Sequence, residues 1–394
     1  MKSVFAMKNL RAACCALALV IMLVSVFVAT PSARAQTFSV LYSFTGGTDG
    51  SQPYASLAQD KAGNLYGTTA VGGADGYGVV FKLDTTGTET VLYTFSGGAD
   101  GANPWAGLLL SPSGVLFGTT EAGGTSGFGT VFRLNQAGKK KVLYNFAGNG
   151  KDGAYTFAQL IRDKNGIFYG TTYRGGPADS GTVFRMGKYG KEKVLYSFKG
   201  GTDGVNPYGG VVRDADGNLY GTTFGDFNGH YGTVFKVSAA GKQTVLHSFT
   251  GGADGGFPYY GGVTLDKRGN VYGTTSYGGA NQYFGTVFKV NKHGKQTVLY
   301  NFTGQADGGQ PDAGVVRDKA GNLYGTTVGG GAYGHGTIFK VDKTGKETVL
   351  YSFAGGTDPA GSNANLLLDS AGNLYGTSIA GGTYGAGTVF KLAP

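Results

Sequence analysis

The sequence predicts an all-β fold, a seven-bladed β-propeller with four antiparallel strands per blade. Three observations predict it. The tripeptide Val-Leu-Tyr, or a close variant, begins at Val40, Val91, Val142, Val194, Val245, Val298 and Val349, a repeat of 51 to 53 residues. Each repeat carries four short apolar or alternating runs separated by turn signals, and no run is long enough for a helical period. The ends also complete each other: the last repeat stops at Leu392 one strand short, and residues 40–44 are a spare strand at the start. That strand is expected to complete the seventh blade and leave no open edge.

The chain has 394 residues, of which 75 are Gly and 10 are Pro, with 41% hydrophobic residues. That is enough apolar content for a core, so disorder is excluded and glycine must serve a repeated purpose. At the start, Lys2, Lys8 and Arg11 precede an apolar run over residues 12–30, and Ala33-Arg34-Ala35 supplies the small residues of a cleavage site. Residues 1–35 therefore read as a secretory signal, with an uncleaved anchor as the alternative. Both cysteines, Cys14 and Cys15, lie inside it, and Arg11 stands where a lipoprotein signal would be apolar. The remaining 36–394 segment holds no cysteine, so its strands must hold without disulfides outside the cytoplasm. The chain ends at KLAP, and no membrane span is expected in the mature protein.

The repeat at Val245 shows each element in turn. GGVTLD is the innermost strand, NVYGTT the second, GTVFKV the third, and TVLHSF the outermost strand inherited from the preceding link. DKRGN and NKHGKQ are hairpin turns in which glycine supplies positive φ. The glycine after the aromatic of the second strand, from Gly67 to Gly376, is expected where neighbouring sheets approach closely. Tyr66, Phe117, Tyr169, Tyr220, Tyr272, Tyr324 and Tyr375 are expected to pack between blades with the Val-Phe pair of the third strand.

The pattern VLYSF, GG.DG, DxxGNLYGTT, GG, GTVFK resembles the Gloeo/Verruco (GloVer) tandem repeat family of exported bacterial proteins, and all seven copies match it. The resemblance implies a location outside the cytoplasm, periplasmic or extracellular, and carries no established biochemical activity. The DxxGNLY element is also similar to turns in NHL-type and gluconolactonase-like propellers. The latter place a glutamate among metal-binding residues at the channel. This chain has only Glu89, Glu121, Glu192 and Glu347, all expected in peripheral turns, which argues against that enzyme.

Several motifs mimic chemistry. Gly329, Gly331 and Gly334 fit a dinucleotide fingerprint, but the next element is a strand and no helix N-terminus follows. Gly345-Lys346-Glu347 lacks the hydroxyl residue of a phosphate loop, and no spacing suggests zinc. Asp49, Asp100, Asp152, Asp203, Asp254, Asp307 and Asp358 recur in the GGxDG segment. Calcium is the metal such oxygens would take, but one carboxylate per loop favours an Asp-Gly turn bonded to its own backbone. The Asp that opens the DxxGN hairpin, from Asp60 to Asp369 with Ser111 as the exception, is read as structural.

Of the net charge of +9, four basic residues belong to residues 1–35, and the +5 that remains is divided between two faces, because lysine-rich hairpin turns fall on one face of the disc and acidic loops on the other. Such a field steers partners, with an anionic envelope polymer on the basic face and cations on the acidic face. Nucleic acid is disfavoured, since the basic residues lack interleaved aromatics.

Departures from the repeat locate the candidate site. The position six before the DxxGN turn reads Tyr54, Trp105, Phe157, Tyr208, Tyr260, then Asp312 and Asn363, at the loop-face mouth of the channel. The position before GTVFK reads Tyr77, Phe128, Ser180, Tyr231, Phe284, then His335 and Ala386. Aromatics from five blades with a polar notch of Asp312, His335 and Asn363 suit a sugar or a small amphipathic ligand. For catalysis, His335 as base oriented by Asp312 is the pair to test. At the other end of the channel, Arg162, Arg213 and Arg317 are placed to hold an anion or to pair with the following Asp residues. The leading expectation is a monomeric, non-enzymatic binding propeller for a glycan, envelope polymer or protein partner. The alternatives are a hydrolase or lactonase around Asp312 and His335, and a structural envelope protein.

Overall fold

The computed structural model describes residues 36–226 and 228–394, and the expected signal lies outside them. Residues Thr37–Ala393 form one compact unit. It contains seven four-stranded antiparallel sheets, the blades of a β-propeller. The first blade is Ala58–Gln59, Leu65–Thr69, Val79–Leu83 and Glu89–Thr94, and five more follow the same order. In the seventh, Leu367–Leu368, Leu374–Ser378 and Thr388–Ala393 are completed by Thr37–Ser43 from the start of the chain. Val40 pairs with Phe390 and Tyr42 with Val389, so the N-terminal strand closes the ring as the sequence predicts.

The innermost strand is shorter than the GVVRD pattern suggests, only two residues such as Val212–Arg213. Ahead of it, the chain turns inward through a residue in the left-handed region: Gln52, Asn103, Tyr155, Asn206, Phe257 and Gln310 all have φ between 54° and 61°. Each of these donates its N–H to the loop of the preceding blade, as Asn103 does to the Tyr77 carbonyl at 3.0 Å. The outermost strand has its own irregularity. Its register slips between the partners of Val80 and Phe81, leaving Leu92 as a bulge, and the slip recurs in every blade.

Hydrophobic burial between blades holds the ring together. Tyr66 and Val80 of blade one pack with Phe95, Leu108, Leu116 and Phe132 across the first seam, as the sequence predicts for the tyrosine column. The phenylalanine ending each outer strand meets the third-strand phenylalanine of the next blade, from Phe95 on Phe132 at 5.3 Å to Phe353 on Phe390 at 5.3 Å. These rings are fully buried, and each contributes roughly 1.5 to 3 kcal/mol. A second set of ties is polar: Thr68 donates to the Ala106 carbonyl of the next blade at 3.0 Å, and Thr377 closes the circle on Ala55 at 3.1 Å.

The glycine of the second strand serves a different purpose from the one expected. A Cβ on Gly67 would lie 2.5 Å from the Phe81 ring of its own blade, its cross-strand partner. The phenylalanine folds over the glycine, which frees its other side for Phe44 of the preceding outer strand. The tight approach is therefore within a sheet and not between sheets.

Candidate functional site

The five aromatics of the mouth column come together. Ring centroids are 4.3 Å apart from Tyr54 to Trp105, 6.2 Å to Phe157, 4.9 Å to Tyr208 and 5.4 Å to Tyr260. Tyr260 then reaches Tyr54 at 5.9 Å, so aromatics from five blades close into a circle that bypasses blades six and seven. Their placement follows from the backbone: the left-handed residue and, in most blades, a proline such as Pro53 or Pro104 come just before the mouth residue. Beneath lies a cavity of about 140 Å³, lined by Tyr54, Trp105, Phe157 and Tyr260 above and by Ser56, Gln159 and Asn365 below.

Sequence reasoning missed a second column. The residue after each YGTT segment reads Ala70, Glu121, Tyr173, Phe224, Ser276, Val328 and Ile379, and several of these back the mouth. Tyr173 packs on Phe157 and Tyr208 at 5.6 and 4.5 Å, and Phe224 on Tyr208 at 5.6 Å. The indole Nε1 of Trp105 donates to Glu121 Oε2 at 2.6 Å. Glu121 is thus not in a peripheral turn. Burial raises its carboxyl above the usual range, with the indole bond opposing. Blade five adds one more ring, because it has an extra residue after Pro258; Tyr259 stands 4.1 Å from Tyr260. The signal for these residues was their alignment to the end of the second strand rather than to the start of the first.

In the gap between blades five and one, the structure brings Asp312 and Asn363 together. Asn363 Nδ2 donates to Asp312 Oδ2 at 3.3 Å. Asp312 is anchored by its own carbonyl, which accepts from Gly261 N–H at 2.9 Å. That approach needs glycine, since a Cβ on Gly261 would lie 1.9 Å from Gly314 N. Burial pushes the Asp312 carboxyl up to about 6, with the Ser276 hydroxyl opposing. Asn363 is 8% exposed, and its Oδ1 is buried without a hydrogen-bond partner among the described residues.

His335 goes elsewhere. Its exposed ring lies over Gly355 of the next blade, the place that Tyr77 takes over Gly97 and Phe284 takes over Gly304. Its carbonyl accepts from Gly361 N–H at 3.1 Å, and no hydrogen bond or ion pair among the described residues links it to Asp312. The arginines each lie against aromatic rings. Arg162 lies over Phe117 and Phe168, Arg213 over Tyr169 and Arg317 over Tyr272, each guanidinium in its own seam against an aromatic face.

The GGxDG carboxylates are taken up by their own loops. Asp49 accepts from Thr45 N at 2.8 Å and from Tyr42 Oη at 3.0 Å, and His247 Nε2 takes the tyrosine's place at 3.1 Å from Asp254. In the DxxGN hairpins, Asp60 accepts from Ala62 N, Asn64 N, Asn64 Nδ2 and Tyr66 Oη. Burial works against that carboxylate, but these donors outweigh it and lower its pKa. Ser111 does the same turn with its hydroxyl, accepting from Val115 N at 3.0 Å.

A model of the Gloeobacter/Verrucomicrobia repeat matches residues 24–213 and 189–390, nearly the whole chain. The chain belongs to this family. Two solved structures share the propeller of this repeat protein. Both are described as extracellular domains of BT4673 from B. thetaiotaomicron, in one case as a one-component system and in the other as a hybrid two-component system. The first has a TM-score of 0.54 at 15% identity over 91% of this chain, and the second 0.57 at 12% over 90%. The chain spans about two fifths of the length of those structures, 41% and 39%. A structure described as a 6-phosphogluconolactonase from Bacteroides uniformis matches over 78% of this chain and 85% of its own at 14% identity, with a TM-score of 0.47. Comparison with curated proteins finds no match. Among the described residues of this family member, no helix is long and apolar enough to cross a membrane.

Proposed function

We propose that this repeat protein is an exported binding module that takes a sugar unit at the loop-face mouth of its channel. The single observation that carries this reading is the closed circle of Tyr54, Trp105, Phe157, Tyr208 and Tyr260 above a cavity walled by Ser56, Gln159, Asn363 and Asn365. Aromatic faces match the apolar faces of a pyranose, and small polar groups beneath match its hydroxyls. Exposed Tyr277, Tyr283, Tyr333 and Tyr384 stand on loops that follow the second strands, on the same face. Export is supported by the signal-like residues 1–35 and by the resemblance to exported repeat proteins, and both BT4673 structures are of extracellular domains.

The protein provides its own reporter, because Trp105 is the one tryptophan of the chain and sits in the circle. Titration with simple sugars should shift its emission saturably. In Tyr54→Ala and Tyr260→Ala the same titration should lose at least tenfold in affinity while the thermal midpoint stays close to that of the parent. Saturable binding unaffected by both substitutions would place the site elsewhere.

A further inference from the structure

The gap in the aromatic circle is filled by Asp312 and Asn363, and the Asn363 carboxamide oxygen has no donor among the described residues. Asp312 carries a largely buried carboxylate that accepts from Asn363 Nδ2 at 3.3 Å and has the Ser276 hydroxyl beside it. Asn363 Oδ1, in a side chain more than nine-tenths buried, has no donor. Asn363 lines the cavity below the mouth, Asp312 adjoins it through the bond to Asn363, and no lysine, arginine or histidine lines it. A buried carboxylate and an orphaned carboxamide oxygen are both costly unless something supplies N–H groups and positive charge. The same cavity is roofed by Tyr54, Trp105, Phe157 and Tyr260, whose ring faces attract a cation.

We infer that the sugar taken at the mouth is an amino sugar, its ammonium group seated between the Asp312 carboxylate and the Asn363 carboxamide oxygen beside the Tyr54–Tyr260 contact. This rests on the reading of the mouth as a sugar site and adds the charge of the ligand to it. An ammonium has three donors, enough for the carboxylate and the carboxamide oxygen together. A neutral sugar offers only hydroxyls there and leaves the carboxylate without a counter-charge. Burial holds the Asp312 carboxyl at about 6, so it is ionised at neutral pH when the cation arrives.

The test uses the full mature chain at pH 7, with Trp105 emission read during titration with glucosamine, glucose and N-acetylglucosamine. Glucosamine should bind at least tenfold more tightly than either neutral sugar. Asp312→Asn should remove that preference by weakening glucosamine alone, and Asn363→Leu, which deletes the orphaned acceptor, should weaken glucosamine in the same direction. Circular dichroism confirms that each variant is folded, and the comparison of three sugars on the parent protein needs no variant at all. Equal affinity for the three sugars, or a preference that survives in Asp312→Asn, overturns the inference and leaves the mouth as a neutral sugar site. No response to any of the three overturns the sugar-binding reading together with it.

Discussion

Trp105 Nε1 donates to Glu121 Oε2 at 2.6 Å, which ties the central indole of the aromatic circle to the end of its own blade's second strand. A bond of this kind fixes the plane of the ring as well as its position. Glu121→Ala should therefore free the indole, shift Trp105 emission to the red and weaken sugar binding about threefold to tenfold, on the order of 1 kcal/mol. Glu121→Gln keeps an acceptor oxygen and should stay near the parent. The two emission spectra and titrations, side by side, check this; identical behaviour of both variants would mean the bond has no positioning role.

The N-terminal strand locks two seams. Phe38 stacks on Tyr351 of blade six at 3.7 Å, and Phe44 meets Phe81 of blade one at 5.1 Å. Phe44 is fully buried, so Phe44→Ala should cost about 3 to 5 kcal/mol in urea denaturation. Removing residues 36–44 should do more, because it also exposes Thr388–Ala393 as an unpaired edge; size-exclusion chromatography should then show aggregation. A truncated protein with unaltered melting and monomeric elution would contradict closure.

Gly67 accepts the Phe81 ring, and an added Cβ would lie 2.5 Å from it. Gly67→Ala should destabilise by about 1 to 3 kcal/mol through overpacking. Combining it with Phe81→Leu should recover part of that loss, since the smaller side chain vacates the space. A double mutant as unstable as the sum of the two single changes would show that the ring and the glycine are not coupled.

Three glutamates make seam stability depend on pH. Gln243 and Gln296 begin their outer strands by donating Nε2 to the carbonyls of Asp203 and Asp254 in the preceding blade, at 3.2 and 3.1 Å. Lys140 occupies the equivalent place with its Nζ on the Asp100 carbonyl. Glu89, Glu192 and Glu347 stand in the same column, each with a buried Oε1 that lacks a partner, and an ionised carboxylate has no donor to offer. Burial, with the nearby Asp49, Asp152 and Asp307 carboxylates adding to it, pushes all three up to about 7. Tyr42, Tyr144 and Tyr300 also face them. Their folded pKa lies above the unfolded one, so the folded state holds the extra protons. Stability from these groups is complete below the ordinary glutamate pKa and declines as pH rises towards about 7. The triple change Glu89→Gln, Glu192→Gln, Glu347→Gln should raise the melting temperature at pH 8 by about 2 °C or more and leave it little changed at pH 4. Equal gains at both pH values would mean that protonation is not involved.

Much of the architecture was legible in the repeat. The Val-Leu-Tyr spacing, the four runs per unit and the spare strand at residues 40–44 specify blade number, strand order and closure, because each depends on local periodicity and turn chemistry. The mouth column from Tyr54 to Tyr260 was legible for the same reason, as a break in an otherwise regular list. Contacts that cross between columns were not. Glu121 and Trp105 are sixteen residues apart and face each other where the hairpin register of Leu109 with Phe117 continues past the short inner strand, which the break in the mouth column alone did not show, and Tyr259 depends on a one-residue insertion that shifts the column. His335 shared a sequence break with Asp312, yet its column lies over the glycines of the next blade, at Gly355, and not in the channel.

What the sequence determined by itself is the ring: seven equivalent wedges, their glycines and aromatics, and the two chain ends that join, all set by short-range pattern repeated at a constant interval. What only the tertiary structure decided is which side chains meet at the axis, since there the blades converge and backbones such as those of Gly261 and Gly314 nearly touch. At that distance a residue's neighbours come from blades up to four units away in the chain, as with Tyr54 and Tyr260, and no local rule encodes their separation.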